Sequence, residues 1–482
     1  MKFSLKKIKF PRWLIIIGVI AAILLVVFLV LKLSGVFDEM AATYVARGDQ
    51  LVADGAYSEA AQEYAYALAL KDLDGQSAYQ AYLKRAEIFQ RKRNYDAAIE
   101  ELTAATKLRA RQKDAWLMLG QVSLSARLTP AAISALEKAR SLDGQDPNIL
   151  RLLGLGYFRQ GQTEKAADLL SRAIAADPEN QSGYYYAALV ALESDLGRAD
   201  QWAGDSLKRE GSFSAAAQKL QSRIEELSQR AGQTEGTISL EAYQKVLRGW
   251  VYAEVGENEV ACRLAQEALL LVDNYRDAWV LKGFAEIELR DWAEAESSLS
   301  RAAEIDPTYG QVNYLQAKAA SGLGSDEEAG ALYRKALDLG YRQYQVYLDY
   351  ARLLIKQQDY QAAVQQLRAA YKIDPWEIAG VEPLVYLLGK YLDQAPAGLE
   401  IALALDRHWQ TNRTRALSAL GYALAGDDAT ALNFVDQALS RDSLDPLAYF
   451  VRGIVNHDPA DFERAIDRDF DGQVAEWARA EI

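Results

Sequence analysis

The sequence is poor in the residues that most often carry chemistry: among 482 residues there is one cysteine, Cys262, and two histidines, His408 and His457. A single cysteine excludes an internal disulfide and any cysteine-rich metal module, and on a helical segment it reads as a small buried residue. No HExxH, P-loop, GxGxxG or serine triad occurs, so a catalytic role has no motif to rest on and the chain is read as a non-enzyme. Paired carboxylates are frequent, but on an acidic helical chain they read as solvated faces. With only 10 prolines, half of the residues hydrophobic and a quarter charged, the composition excludes a disordered or collagenous chain.

Positive charge is also scarce. Lys and Arg number 54 against 67 Asp and Glu, and six of those cations, Lys2, Lys6, Lys7, Lys9, Arg12 and Lys32, flank one segment near the N-terminus. The remainder carries 48 against 67, a net of −19, which disfavours nucleic acid or an anionic membrane surface as a partner.

The flanked segment is the one long hydrophobic run, WLIIIGVIAAILLVVFLVL from Trp13 to Leu31. At ~1.5 Å per residue it makes about 28 Å of helix, enough to cross a bilayer. No small-x-small cleavage site follows, since Lys32, Leu33 and Ser34 come next, so 13–33 reads as an uncleaved single-pass anchor. The basic residues before it place the N-terminal segment 1–12 in the cytoplasm and the rest outside. The reverse topology, with the body in the cytosol as an assembly factor for membrane proteins, is the alternative that protease accessibility would decide.

Beyond the anchor the chain repeats. Small residues stand at Gly48, Ala86, Gly120, Gly154, Ala188, Gly249, Gly283, Ala317 and Ala351, at steps of 34 apart from one of 38 and one of 61. A second series follows most of them by twelve: Ala60, Ala98, Ala132, Ala166, Ala261, Ala295, Ala329 and Ala363. One small residue therefore sits in each of two helices per period, where two backbones cross closely and larger side chains fill the surrounding holes. Asp-Pro at 177–178, 306–307 and 374–375 ends second helices, because proline biases the preceding residue out of helical geometry.

Single units then show a fuller pattern: Leu150, Leu153, Gly154, Tyr157, Ala166, Leu170, Ala173 and Pro178 in one, Trp279, Gly283, Trp292, Ala295, Leu299, Ala302 and Pro307 in another, with Lys282 where leucine is expected. This resembles the tetratricopeptide-repeat family, with its W-x2-L-G-x2-Y, A-x3-F and P pattern. The resemblance implies an all-α, right-handed solenoid that binds protein or peptide partners. It covers 41–377 strongly, with units beginning near 41, 79, 113, 147, 181, 242, 276, 310 and 344.

The organisation expected is thus an N-terminal block at 41–193, an insertion at 194–240, a second block at 241–411 and a degenerate C-terminal cap at 412–482. Within the insertion, Ser214–Arg230 has helical apolar spacing at Leu220, Ile224 and Leu227. It reads either as a hinge between two blocks or as an elaborated partner site.

In this family the first helix of each unit lines the concave surface through positions 2, 5, 9 and 12. Those positions hold Arg151, Leu155 and Phe158 in one unit, then Tyr185, Leu189, Trp250, Phe284 and Tyr314 further on. Tyr185, Leu189, Trp250, Phe284 and Tyr314 form the expected partner groove; the competing reading is that they pack against neighbouring helices or the insertion. The Lys and Asn pairs of the carboxylate-clamp subtype are missing, since positions 5 and 9 hold Val45 with Asp49, Leu83 with Glu87 and Leu117 with Gln121.

One local motif suggests a metal. Asp467, Asp469, Asp471 and Gly472, followed by Glu476, alternate acidic side chains around a glycine turn, as short calcium loops do. The bidentate Glu of an EF-hand is displaced, with Ala478 at its position, so calcium competes with an acidic terminal turn. No other cofactor is expected. The function anticipated is an extracytoplasmic, membrane-anchored scaffold of a bacterial-type envelope, or a structural part of an envelope machine such as a pilus or polysaccharide-export assembly.

Overall fold

The computed structural model describes residues 36–482 apart from 71–72, 231–238, 442–443 and 470–471. Among the described residues there are 26 helices and no strand. The expected anchor at 13–33 lies outside them; of the helices described, none is long and apolar enough to cross a membrane.

Two compact units divide at Ala115 and Trp116. The first contains α1 (Val36–Ala53), α2 (Tyr57–Ala69), α3 (Gly75–Arg91) and α4 (Tyr95–Leu108). Its crossing point is Gly48, where any Cβ would come within 2.7 Å of the Tyr64 ring. The Tyr64 hydroxyl donates to Asp49 at 2.5 Å, and Lys84 donates to the same carboxylate at 2.6 Å.

The chain then runs through α5 (Lys113–Ser125), whose second turn opens the other unit, and α6 (Thr129–Leu142). Next come the hairpins α7 (Pro147–Arg159) with α8 (Thr163–Ala176) and α9 (Gln181–Ala191) with α10 (Leu196–Leu207), followed by a single helix α11 (Ser214–Arg230). The array resumes with α12 (Leu240–Glu254) and α13 (Asn258–Leu271), α14 (Arg276–Leu289) and α15 (Trp292–Ile305), α16 (Gly310–Gly322) and α17 (Asp326–Asp338), α18 (Tyr344–Lys356) and α19 (Tyr360–Ile373). It ends with α20 (Ile378–Lys390) and α21 (Ala395–Trp409), α22 (Asn412–Leu424) and α23 (Asp428–Arg441), a short pair α24 (Pro446–Asn456) and α25 (Pro459–Arg468), and α26 (Gln473–Glu481).

First helices begin at 113, 147, 181, 276, 310, 344 and 378, in register with the 34-residue period. Each alanine of the second series, from Ala60 to Ala363, is fully buried. At Gly154 an added Cβ would lie 2.7 Å from Leu170 Cγ, so the hairpin α7/α8 closes only because that side chain is absent. Asp177, Asp306 and Asp374 leave their helices in extended geometry, at φ −140°, −142° and −138°, which turns the chain toward the next first helix.

The break in period has a specific anatomy. Helix α10, capped by the Asp195 side chain on the Arg198 amide, pairs with α9 as an ordinary second helix, so the extra material is α11 and its connections. Its Ala217, Leu220, Ile224 and Leu227 are buried on one face, as their spacing predicts.

Candidate functional site

After α11 the array does not simply resume its stacking. Tyr252 on α12 packs its ring against Phe158 at 5.6 Å and donates its hydroxyl to the Leu189 carbonyl at 2.7 Å. Three polar contacts reinforce this docking: Arg159 to Glu257, Thr129 to Glu259 at 2.9 Å, and Arg263 to Glu193, with Arg263 also held by Glu267 at 2.9 Å within α13. The hairpin α12/α13 is therefore seated on the first-helix face of α7 and α9.

That seating decides where the expected groove aromatics go. Tyr185 and Leu189 are buried, with Tyr185 against Phe213 at 5.2 Å. Trp250 and Phe284 pair at 5.4 Å and are half-buried. Tyr314 is buried and donates to Asp349 at 2.8 Å; burial, together with that carboxylate, drives its hydroxyl pKa far upward. These five residues pack within the solenoid, because the α12/α13 hairpin, the α11 segment and neighbouring helices cover the positions that face outward in an uninterrupted array. Exposed aromatics lie elsewhere: His408 stacks flat on Trp376 at 4.0 Å and meets Trp409 edge-on at 4.8 Å.

Among the described residues, two large cavities lie on first-helix faces of the second unit. One, of ≈ 720 Å³, is built on α5, α7 and α9, where Gln121, Arg151, Leu155 and Tyr186 form its floor. The turn before α9 contributes Asp177, Glu179 and Asn180, and the loop from Glu210 to Phe213 forms its outer wall.

Two side chains hold that wall in place. Gln181 donates to the Arg209 carbonyl at 3.0 Å and to Ser214 Oγ at 2.9 Å, and accepts from the Phe213 amide at 2.8 Å. Arg209 donates to the Pro178 carbonyl at 2.6 Å and to the Tyr184 hydroxyl at 2.7 Å, and its guanidinium lies 3.6 Å over the Tyr184 ring. Gly211 is pressed against Gln181, where a Cβ would have no room. Arg151 and Leu155 stand at groove positions already marked by the sequence; the wall supplied by the insertion was not legible, since nothing in its spacing signals Gln181 as its anchor.

The second cavity, of ≈ 960 Å³, is lined by Leu348, Arg352 and Ile355 of α18, Ala379 and Glu382 of α20, and Trp477 of α26. Leu348, Arg352 and Ile355 occupy positions 5, 9 and 12 of their unit. Arg413 reaches Glu382 at 2.9 Å and Asp445 at 3.4 Å, and burial raises the Glu382 pKa despite its arginine. At one end the chain's own C-terminal helix folds back: Trp477 stacks on Tyr386 at 4.1 Å and 18°, and Lys390 pairs with Glu481 at 2.6 Å.

The acidic loop sits beside this end. Asp469 accepts the Ala475 amide in the first turn of α26 at 2.7 Å, and Asp467 is buried, while Glu476 is exposed; Asp471 lies outside the described residues. Among the described residues, no three His, Cys, Asp or Glu side chains converge as a metal site. Cys262 is half-buried, and burial pushes its thiol up to about 11, which disfavours the reactive thiolate.

Comparison with known proteins bears on the repeats. Tetratricopeptide repeat models match residues 83–147, 314–375 and 147–180. Cellulose synthase 2 operon protein C of Komagataeibacter xylinus is 26% identical over 337 residues, covering 66% of this chain and 24% of that protein. The formate-dependent nitrite reductase complex bifunctional subunit NrfFG of Haemophilus influenzae is 32% identical over 99 residues, covering 20% and 26%. The chain thus spans about a quarter of the length of either curated relative. Among solved structures, the APC/C hetero-tetramer Cut9-Hcn1 aligns over 90% of this chain and 95% of that one, at 14% identity and a TM-score of 0.37. Such repeats are generally non-catalytic and bind protein partners. On the matched segments and the 34-residue hairpin register, residues 83–180 and 314–375 are similar to tetratricopeptide repeats.

Proposed function

We propose that this protein is a membrane-tethered scaffold whose repeats lie outside the cytoplasm and dock a protein partner in the groove of α18 and α20. The tether is the uncharged run from Trp13 to Leu31 with its preceding basic cluster. One observation carries the docking surface: helix α26 of the chain itself rests beside that groove through a single aromatic anchor, Trp477 on Tyr386. A surface that seats an amphipathic helix in this way suits helix-in-groove recognition. Arg352 and Ile355 line the open remainder and would set the polarity of the partner's contact face.

The similarity over 337 residues to a cellulose synthase operon protein supports a second reading, in which the scaffold is a fixed part of an envelope polysaccharide machine. One experiment addresses both. A photo-crosslinking residue at position 379 in intact cells, with external protease on the same cells, should yield a crosslinked protein partner and proteolysis of the repeats. A single transient partner supports the docking scaffold; a stoichiometric membrane complex supports the machine component. Protease resistance until the cells are opened would overturn the topology, and the absence of any crosslink at position 379 would overturn the groove.

A further inference from the structure

The cavity on α5, α7 and α9 differs in chemistry from a protein-docking groove. Interface anchors are buried aromatic and aliphatic groups in largely apolar pockets. Here the lining is rich in hydroxyl, amide and carboxylate groups: Gln121, Ser125 and Ser212 stand with Asp177, Glu179 and Glu210, and the leucines lie at the base. Two rings complete it. Tyr186 and Phe213 meet at 5.6 Å and 76°, forming an aromatic corner whose two walls come from α9 and from the loop pinned by Gln181.

From this geometry we infer that the cavity binds a short saccharide segment without acidic groups. A sugar ring presents a flat apolar C–H face, which an aromatic ring covers, and a rim of hydroxyls, each able to donate and accept, which amides, hydroxyls and carboxylates satisfy. The volume of ≈ 720 Å³ lies within the ~300–1,000 Å³ usual for small-ligand sites.

The charge balance selects among saccharides. Arg159 faces the cavity but is engaged bidentately by Glu257, so its charge is already met. That leaves Arg151, which donates to Asn148 at 3.1 Å and lies 5.8 Å over the Tyr186 ring, against Asp177, Glu179 and Glu210. An anionic ligand such as a uronate chain would meet more carboxylate than guanidinium. Neutral and amine-bearing sugars meet no such repulsion.

This site is separate from the α18/α20 groove, so either assignment can fail without the other. The test is calorimetric titration of the full chain in detergent with three probes: a linear β-1,4-linked glucose tetramer, the corresponding glucosamine tetramer and a galacturonate tetramer. Binding tighter than about 1 mM is expected for at least one of the first two, and at least tenfold weaker binding for galacturonate. Ser212→Trp, at an exposed position of the outer wall, should abolish the binding while leaving the melting temperature unchanged; Phe213→Ala should weaken it at least tenfold. No binding of either non-acidic probe overturns the inference. So does preference for galacturonate, or full binding by a folded Ser212→Trp protein.

Discussion

Arg159 and Glu257, 98 residues apart, form a bidentate ion pair, Nε to Oε2 at 2.8 Å and Nη2 to Oε1 at 3.1 Å. Both side chains are largely buried, and Arg159 also donates to the Leu124 carbonyl at 3.0 Å. Burial alone would lower the guanidinium pKa; the facing carboxylate outweighs it and holds the pKa above its ordinary value. The pair fastens the hairpin α12/α13 to α7, so the period break at the insertion is a packed junction.

Glu257→Ala should therefore cost about 3–5 kcal/mol, because it strands a buried guanidinium. Urea unfolding of the repeat region checks this. The double variant Arg159→Met with Glu257→Leu should recover most of the loss, since both charges are then absent. Equal destabilisation by the single and double variants would show that the pair is incidental to the junction.

A second buried pair makes a prediction against the repeat pattern. Lys282 stands where the family has leucine, and its ammonium donates to Glu286 at 2.6 Å and to Ser298 at 2.8 Å. Restoring leucine leaves Glu286 buried without its cation. Lys282→Leu should destabilise by about 3 kcal/mol, although it improves the match to the pattern. A melting temperature equal to or above that of the parent protein would refute the pairing argument.

How much of this was legible depended on whether a signal was local. The register from Gly120 to Ala351, the Asp-Pro helix ends and the helix Ser214–Arg230 follow from spacing alone, because each reports a crossing, a stop or one buried face within a few turns. The fate of Tyr185 and Tyr314 was not legible. Family position marks them as groove residues, yet whether a groove position meets solvent depends on Phe213 and Tyr341, which arrive from connecting loops. The acidic segment has the same lesson at shorter range: Asp469 accepts the Ala475 amide in the first turn of α26, a use that alternating carboxylates in the sequence do not announce.

The terminal hairpin should be sensitive to acid. Asp461 is almost fully buried on α25 and receives two hydrogen bonds from Arg452, at 2.7 and 2.6 Å, and one from Arg464 at 2.7 Å. Burial alone would raise its pKa, but the two guanidinium partners outweigh burial and hold it below the usual carboxylate range. A depressed folded pKa contributes stability that is present above the unfolded value of about 3.9 and is lost as pH falls through the folded value. The difference in unfolding midpoint between the parent protein and Asp461→Asn should thus be largest near neutral pH and shrink below about pH 4. A difference constant down to about pH 2 would mean that Asp461 is not the titrating group.

The contact of Trp477 with Tyr386 yields the last prediction, because it bears on how the groove is shared. Trp477 is half-buried, stacked on Tyr386 at 4.1 Å and also within 5.8 Å of Phe450, while the rest of α26 offers only Val474, Ala475 and Ala478 as buried apolar side chains. The aromatic contact is therefore the main hold on a nine-residue helix that could not persist alone. Trp477→Ala should cost about 2 kcal/mol and, more tellingly, remove hydrogen-exchange protection from α26 while leaving α20 protected. If α26 limits access to the groove, the same variant should also increase partner crosslinking from position 379. Loss of α26 protection with unchanged crosslinking would separate the helix from the docking surface and leave it a structural cap.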